Sequence, residues 1–366
     1  MKLIKSCLTV ILFTITKPLV GGQAVFEGVM MRSPKSFAVA VRLSTNSIII
    51  RERAWLSFSE RLRFLRFPLF RGVTMLVESL YNGISALQFS VEQAIPKEEK
   101  KSEKIIKSGS NIALVTAMIL SLFMGTVFFK GIPHLLTFMF GELLGVNGNS
   151  ALPISSIWFH VIDGTIKILL FVGYVLLISK LNDVKRLFMY HGAEHKAVHA
   201  FEKNFELNVK KTQIQSIFHP RCGTSLIVLV MVVSIVCFSL FLPFLPVVTD
   251  NRILQSLFAL FVKILLMLPI ASIAYEFQKL AVKYPDKPWV KFFIAPGMFM
   301  QKLTTKEPED DQVEVALTAL KKALWREKHS VDIGDDIKRC QSQTEGENNE
   351  IIEIFCNFSQ VCQRIV

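Results

Sequence analysis

Four long apolar runs decide most of what this chain can become. They cover residues 112–129, 157–178, 226–245 and 253–274. At about 1.5 Å of rise per helical residue, each reaches across about 30 Å of hydrocarbon. A fifth stretch, 132–146, is broken by Pro133, His134, Gly141 and Glu142 and reads as an interfacial or re-entrant segment. Composition agrees: 51% of the residues are hydrophobic and thirty are phenylalanine, with a mean hydropathy of +0.42. Such a chain is too apolar for an ordinary soluble enzyme.

The formal charge of +12 flanks the apolar runs instead of forming one stripe, which argues against nucleic acid and for a bilayer with anionic lipid. Five lysines precede the first run, at 97, 100, 101, 104 and 107, and residues 131–156 contain no lysine or arginine. Residues 180–222 carry eight basic residues, 243–252 only Arg252, and Lys279, Lys283, Lys287 and Lys291 follow the last run. Lysine and arginine favour the cytoplasmic side. The expected protein is therefore a multi-pass membrane protein with both termini and the 180–222 loop cytoplasmic. Six cysteines, at 7, 222, 237, 340, 356 and 362, form no Cys-x-x-Cys pair and read as reduced thiols.

The fold class expected is an α-helical polytopic membrane protein with four transmembrane helices, a small α+β cytoplasmic N-terminal domain and a C-terminal amphipathic helix. Residues 1–20 form an apolar extension, basic at its start but without a small-x-small cleavage site. It reads as an amphipathic anchor or an overlong start instead of a cleaved signal. Residues 21–95 give the α+β domain: "GGQAVFEGVMMRSP", "FAVAVRL" and "IIIRER" alternate like strands, and 59–93 is helical with an interruption at Pro68. Glu27, Arg32 and Glu78 are charges embedded in apolar stretches, expected to form a buried ion pair. A charged linker, 96–110, leads to the membrane domain, 111–278. Segment 279–329 includes an amphipathic helix with an acidic start and a basic end. The polar, acidic tail 330–366 reads as disordered.

Chemistry concentrates in "YHGAEHKAVH", residues 190–199. On a helix, His191 and His195 stand one turn apart on one face and can grip one ion. Glu194 completes His-x-x-Glu-His, in which a metal acidifies water and the glutamate takes its proton. His199, another candidate ligand, lies about 12 Å along the axis from His191, too far to share one ion comfortably. The third ligand is expected from elsewhere: His219 or Cys222 in "FHPRCGTS", or Glu276 in "YEFQKL", all at the same expected face. The metal candidates are thus His191, His195, His199, His219, Cys222 and Glu276, with Glu194 catalytic. Imidazole with thiolate or carboxylate favours a divalent metal, zinc first, with iron and manganese compatible. His134 and His160 fall on the opposite side and read as structural.

From about Gly21 to about Leu324 the chain resembles, in six stretches, the YqhQ-like family of bacterial membrane proteins, which implies the inner (cytoplasmic) membrane of a bacterial cell. The stretches are "GGQAVFEGVMMRSP", "FPLFRGVTMLVESLYNGISAL", "YHGAEHKAVHAFE", "HPRCGTS", "YEFQKLA" and "PGMFMQKLTTKEPEDDQVEVALTAL". The resemblance implies a metal-dependent enzyme, a reading that rests on the same histidine and glutamate motif. It places His191, Glu194, His195, His199, His219, Cys222 and Glu276 on family motif positions and implies no particular reaction.

The leading reading is a membrane-embedded, metal-dependent hydrolase acting at the cytoplasmic face on a peptide bond or a lipid-linked ester. A second is a non-catalytic scaffold or adaptor that binds a cytoplasmic or membrane protein partner. A third is a transporter, suggested by Asp163 and Lys167 near or within a span.

Overall fold

The computed structural model describes residues 17–55, 57–58, 62–94, 116, 120–121, 123–145, 152–153, 156–249, 251–284 and 287–329. Most of the 1–20 extension, the 96–110 linker and the 330–366 tail lie outside the described residues.

The N-terminal strands form an antiparallel meander: β1 Gly21–Val25, β2 Gly28–Arg32, β3 Ser36–Arg42 and β4 Ile48–Ala54. The alternation in β2 and β3 is not apolar against polar, because both faces are buried. Met30, Phe37, Val39 and Val41 pack with Trp55, Ala86 and Phe89 on one face. Val29, Met31, Ala38 and Ala40 pack on the other with Tyr190, Ala193, Ala197 and a run from Val313 to Ala323. The small Ala38 and Ala40 let helices approach that second face closely. Helix α1, Pro68–Ala94, covers the first face and starts at Pro68, where a missing N–H costs nothing. The sheet therefore closes with chain some 150 to 300 residues away, and the 21–95 segment is only part of the unit it belongs to.

A polar network fixes α1 to the sheet. Glu78, fully buried, accepts from Arg32, from Ser57 Oγ at 2.7 Å and from the Phe58 N–H at 2.6 Å. Arg32 and Glu78 pair as expected, but Glu27 does not join them. It sits in the β1–β2 turn at φ 51 and accepts from Arg186, with Tyr190 Oη at 3.2 Å. The strained turn residue is held by the histidine helix, not by its own domain.

Among the described residues, four helices are long and apolar enough to cross a membrane: Phe123–Leu143, Ile157–Ile178, Gly223–Phe244 and Ile253–Ala281. Of the expected first run, 112–129, most of what precedes residue 123 lies outside the described residues. Residues 123–143 are one helix, whose second half is α2, Ile132–Leu143, and the 132–146 stretch is not a separate re-entrant element. A π-helical turn at Val127–Gly131 precedes Pro133 and lets the helix accommodate it. There follow α3 Ile157–Ile178, α4 Asn182–Glu202, the short α5 Val209–Gln213, α6 Gly223–Phe241 and α7 Arg252–Lys283. Helix α8, Pro288–Thr304, lies against α6, with Gly297 seated on Ser225. The amphipathic α9, Asp310–Lys328, opens with a capping box of Glu309 and Gln312 and lays its apolar face on the sheet.

Glu78→Ala would strand the Arg32 guanidinium against Trp55, and the expected loss is about 3 kcal/mol. The chemical denaturation midpoint of the purified protein measures it. An unchanged midpoint would mean that the pair does not hold α1 to the sheet.

Candidate metal centre

Helix α4 is polar by composition yet buried nearly all round from Tyr190 to Ala200. Tyr190, Ala193, Ala197 and Ala200 fall on a stripe of three- and four-residue steps that faces the core of the sheet. His191, His195 and His199 form the adjacent stripe, facing residues 217–222 and the end of α8. Gly192 allows this approach: a Cβ there would lie 2.1 Å from the Lys306 carbonyl oxygen. The Lys306 N–H donates to the Phe188 carbonyl at 3.0 Å, which fixes the chain after α8 alongside α4.

Those two neighbouring segments set the tautomers of the histidines. His191 Nδ1 lies 2.8 Å from the Thr304 carbonyl, and His195 Nδ1 lies 2.5 Å from the Ile217 carbonyl. A carbonyl only accepts, so each Nδ1 carries the proton and each Nε2 presents a lone pair. Both lone pairs point toward Cys222, the residue preceding α6. His191 Nε2 is 3.1 Å from Cys222 Sγ, and Thr224 Oγ1 is 3.0 Å from the same sulfur. The ligand atoms of His191, His195 and Cys222 all lie within 4.8 Å of one another. His195 Nε2 is buried and makes no hydrogen bond among the described residues.

Glu194 closes the group. Its Oε2 is 3.5 Å from His195 Nε2. Burial pushes its carboxyl above the usual range, while His191, His219, Arg221 and the Gly22 N–H pull it back. A proton acceptor at neutral pH needs such opposition. Gly22 is the close neighbour that sequence reading missed: a Cβ there would lie 2.6 Å from Glu194 Cγ and 2.7 Å from the Met30 carbonyl oxygen. The paired glycines at the start of β1 are the signal that pointed to such a contact.

His199, Glu202 and His219 form a second group, also within 4.8 Å. Its members already satisfy one another. His219 Nε2 lies 3.2 Å from Glu202 Oε2, and its Nδ1 accepts from the Arg221 N–H at 3.2 Å. Glu202 also pairs with Arg221, and His199 Nε2 donates to the Phe218 carbonyl at 2.8 Å. Glu276, a candidate third ligand, belongs to neither group. It receives Arg71 from α1 in a forked arrangement, at 2.9 and 2.6 Å on Oε1. Lys196 is not solvated either. It is buried, and its ammonium donates to the Gln213 carbonyl at 2.5 Å and pairs with Glu307 at 2.7 Å.

Burial lowers the pKa of His195, His199 and His219, that of His199 to about 4. Their neutral forms belong to the fold, so this stability is present above about pH 6.5 and lost as pH falls toward 4. The thermal midpoint of the chelator-treated protein is expected to drop through that window. A flat profile would mean that these imidazoles are not buried neutral.

A protein family described as "Protein of unknown function (DUF1385)" matches residues 67–326. The chain is also 30% identical over 314 residues to "Uncharacterized protein YqhQ" of Bacillus subtilis (strain 168), covering 84% of this chain and 92% of that protein. No solved structure matches.

Proposed function

We propose that this chain, which belongs to the DUF1385 family, is an integral membrane, metal-dependent hydrolase with its site at the cytoplasmic face. The observation that carries the reading is the buried, unbonded His195 Nε2. It faces Cys222 Sγ and His191 Nε2, while both Nδ1 protons are taken up by backbone carbonyls. Histidines that ligate a metal usually donate their other N–H to a carbonyl or carboxylate in this way. Two imidazoles and one thiol suit zinc, and three protein ligands are the number a catalytic zinc site keeps. His191, His195 and Cys222 would hold zinc, which when bound would supply Lewis-acid chemistry. Glu194 is the residue placed to take a proton beside His195, and the Gly22 N–H holds its carboxylate there. Arg221, beside Glu194, offers positive charge to an ester or amide oxygen that becomes negative.

Placement at a membrane surface rests on the four apolar helices and the basic loops. The C-terminus of α3, the N-terminus of α6 and the C-terminus of α7 share the end of the bundle that carries the site and the lysine-rich segments. Leu62, Phe64 and Phe67, exposed just before α1 with basic neighbours, suit an interfacial position. Membrane-bound ester and peptide substrates would reach the site from that side.

One contact favours a second reading. His191 Nε2 and Cys222 Sγ at 3.1 Å, with Cys222 at the N-cap of a 19-residue helix, also form a thiol–imidazole dyad for nucleophilic hydrolysis without metal. A scaffold function would use none of this convergence.

Elemental analysis of the detergent-purified protein separates them. Near-stoichiometric zinc is expected in the native chain and in Glu194→Gln, and its loss in His195→Ala and Cys222→Ser. Absence of metal from native protein supplied with zinc would defeat the metal reading. Rapid alkylation of Cys222 in that sample would then support the dyad.

A further inference from the structure

A second polar cluster lies deep among the candidate membrane-spanning helices, far from the bundle end that carries the histidines. Asp163 and Lys167 lie one turn apart on α3, Lys263 on α7 and His134 on α2, and all four are buried. Asp163 Oδ2 accepts from Lys263 Nζ at 2.6 Å and lies 3.6 Å from Lys167 Nζ. His134 Nε2 is 3.2 Å from the Ser256 carbonyl and 2.8 Å from its hydroxyl. The proton on that nitrogen leaves Nδ1 to accept from Lys263 Nζ at 3.2 Å. Lys130, on the π-helical turn, interacts electrostatically with Lys167, Asp163 and Lys263. Its ammonium and that of Lys263 each stand 5.7 Å from the centre of the Phe238 ring.

The charges do not balance. Three lysines face one carboxylate, whose Oδ2 takes Lys263 while its buried Oδ1 makes no hydrogen bond among the described residues. Among the described residues neither Lys130 nor Lys167 has a hydrogen-bond acceptor within reach, apart from the long contact of Lys167 to Asp163. Lys167 and Lys263 lie about 15 Å into their helices from the end near residues 157 and 252, at the depth of the bilayer centre. Unpaired ammonium groups are costly there, and intramembrane ionisable residues mark ion or substrate sites.

We propose that Lys130, Lys167 and Lys263 bind a small monovalent inorganic anion inside the helical bundle. The donors are ammonium groups, point charges that suit a halide. The forked donors that grip phosphate are absent among the described residues of the cluster. Asp163 beside them disfavours an anion that carries more than one negative charge. The rings of Phe238 and of Phe159, whose centre lies 5.2 Å from Lys263 Nζ, wall the cluster with their faces toward the ammonium groups. Half-buried Lys130 gives it an approach. The site has no part in the proposed hydrolysis and stands or falls apart from it.

Bromide titrated against gluconate at constant ionic strength, with thermal midpoint and equilibrium dialysis as readouts on the detergent-purified full chain, tests the proposal. A saturable rise of several degrees and retained bromide are expected in the native protein and in His195→Ala, and their loss in Lys167→Met. Lys130→Met, at a less buried position, decides the matter if Lys167→Met does not fold. Equal bromide binding in Lys130→Met and native protein would overturn the proposal. So would no binding at all, or stabilisation by phosphatidylglycerol but not by bromide.

Discussion

Helix α4 carries three histidines, a glutamate and a lysine into a place where water cannot solvate them. A buried polar group without a partner costs about 1–3 kcal/mol, so the surroundings of α4 are constrained to supply partners. Thr304 and Ile217 offer carbonyls to two imidazoles, Phe218 offers a third, and Gln213 takes the lysine. These partners arrive from α8 and from the segment between α5 and α6, while the sheet and α9 close the opposite side of the helix. Gly192 and Gly22 mark where that closure is tightest. The N-terminal sheet, the C-terminal helix and the ends of the apolar helices are therefore one packing problem, with α4 at its centre.

That dependence explains what a sequence reading could reach. Periodicities of two and of 3.6 are local, so the strands, the α9 helix and the apolar runs were legible, as was His-x-x-Glu-His on a helix. What covers the sheet was not legible within 21–95, because residues 190–200 and 313–323 close the face that this segment leaves open. Partners that are backbone carbonyls carry no residue signature, and nothing in the letters distinguishes Thr304 or Ile217. The partner of Glu276 was hidden for a related reason. A carboxylate near a helix end needs a partner, and Arg71, some two hundred residues earlier, meets it before any metal could. The π-helical turn before Pro133 likewise turned an apparent break into one continuous helix.

The same constraint acts twice in this fold, with opposite sign. Around α4 the group left over after internal pairing is an acceptor, the His195 Nε2 lone pair, with the His191 Nε2, the Cys222 sulfur and the Glu194 carboxylate beside it. In the bundle positive charge is in surplus: the ammonium heads of Lys130 and Lys167 face one carboxylate, Asp163, whose Oδ1 is buried without a hydrogen bond among the described residues. A pocket of acceptors is relieved by a cation and a pocket of donors by an anion, because each missing partner must supply what the protein lacks. Protein packing could have removed either surplus with one residue of the other kind. His219 and Glu202 show this solution beside the first site, where Arg221 saturates them. Where saturation was available and was not used, the surplus is the feature that distinguishes a binding site from a structural network.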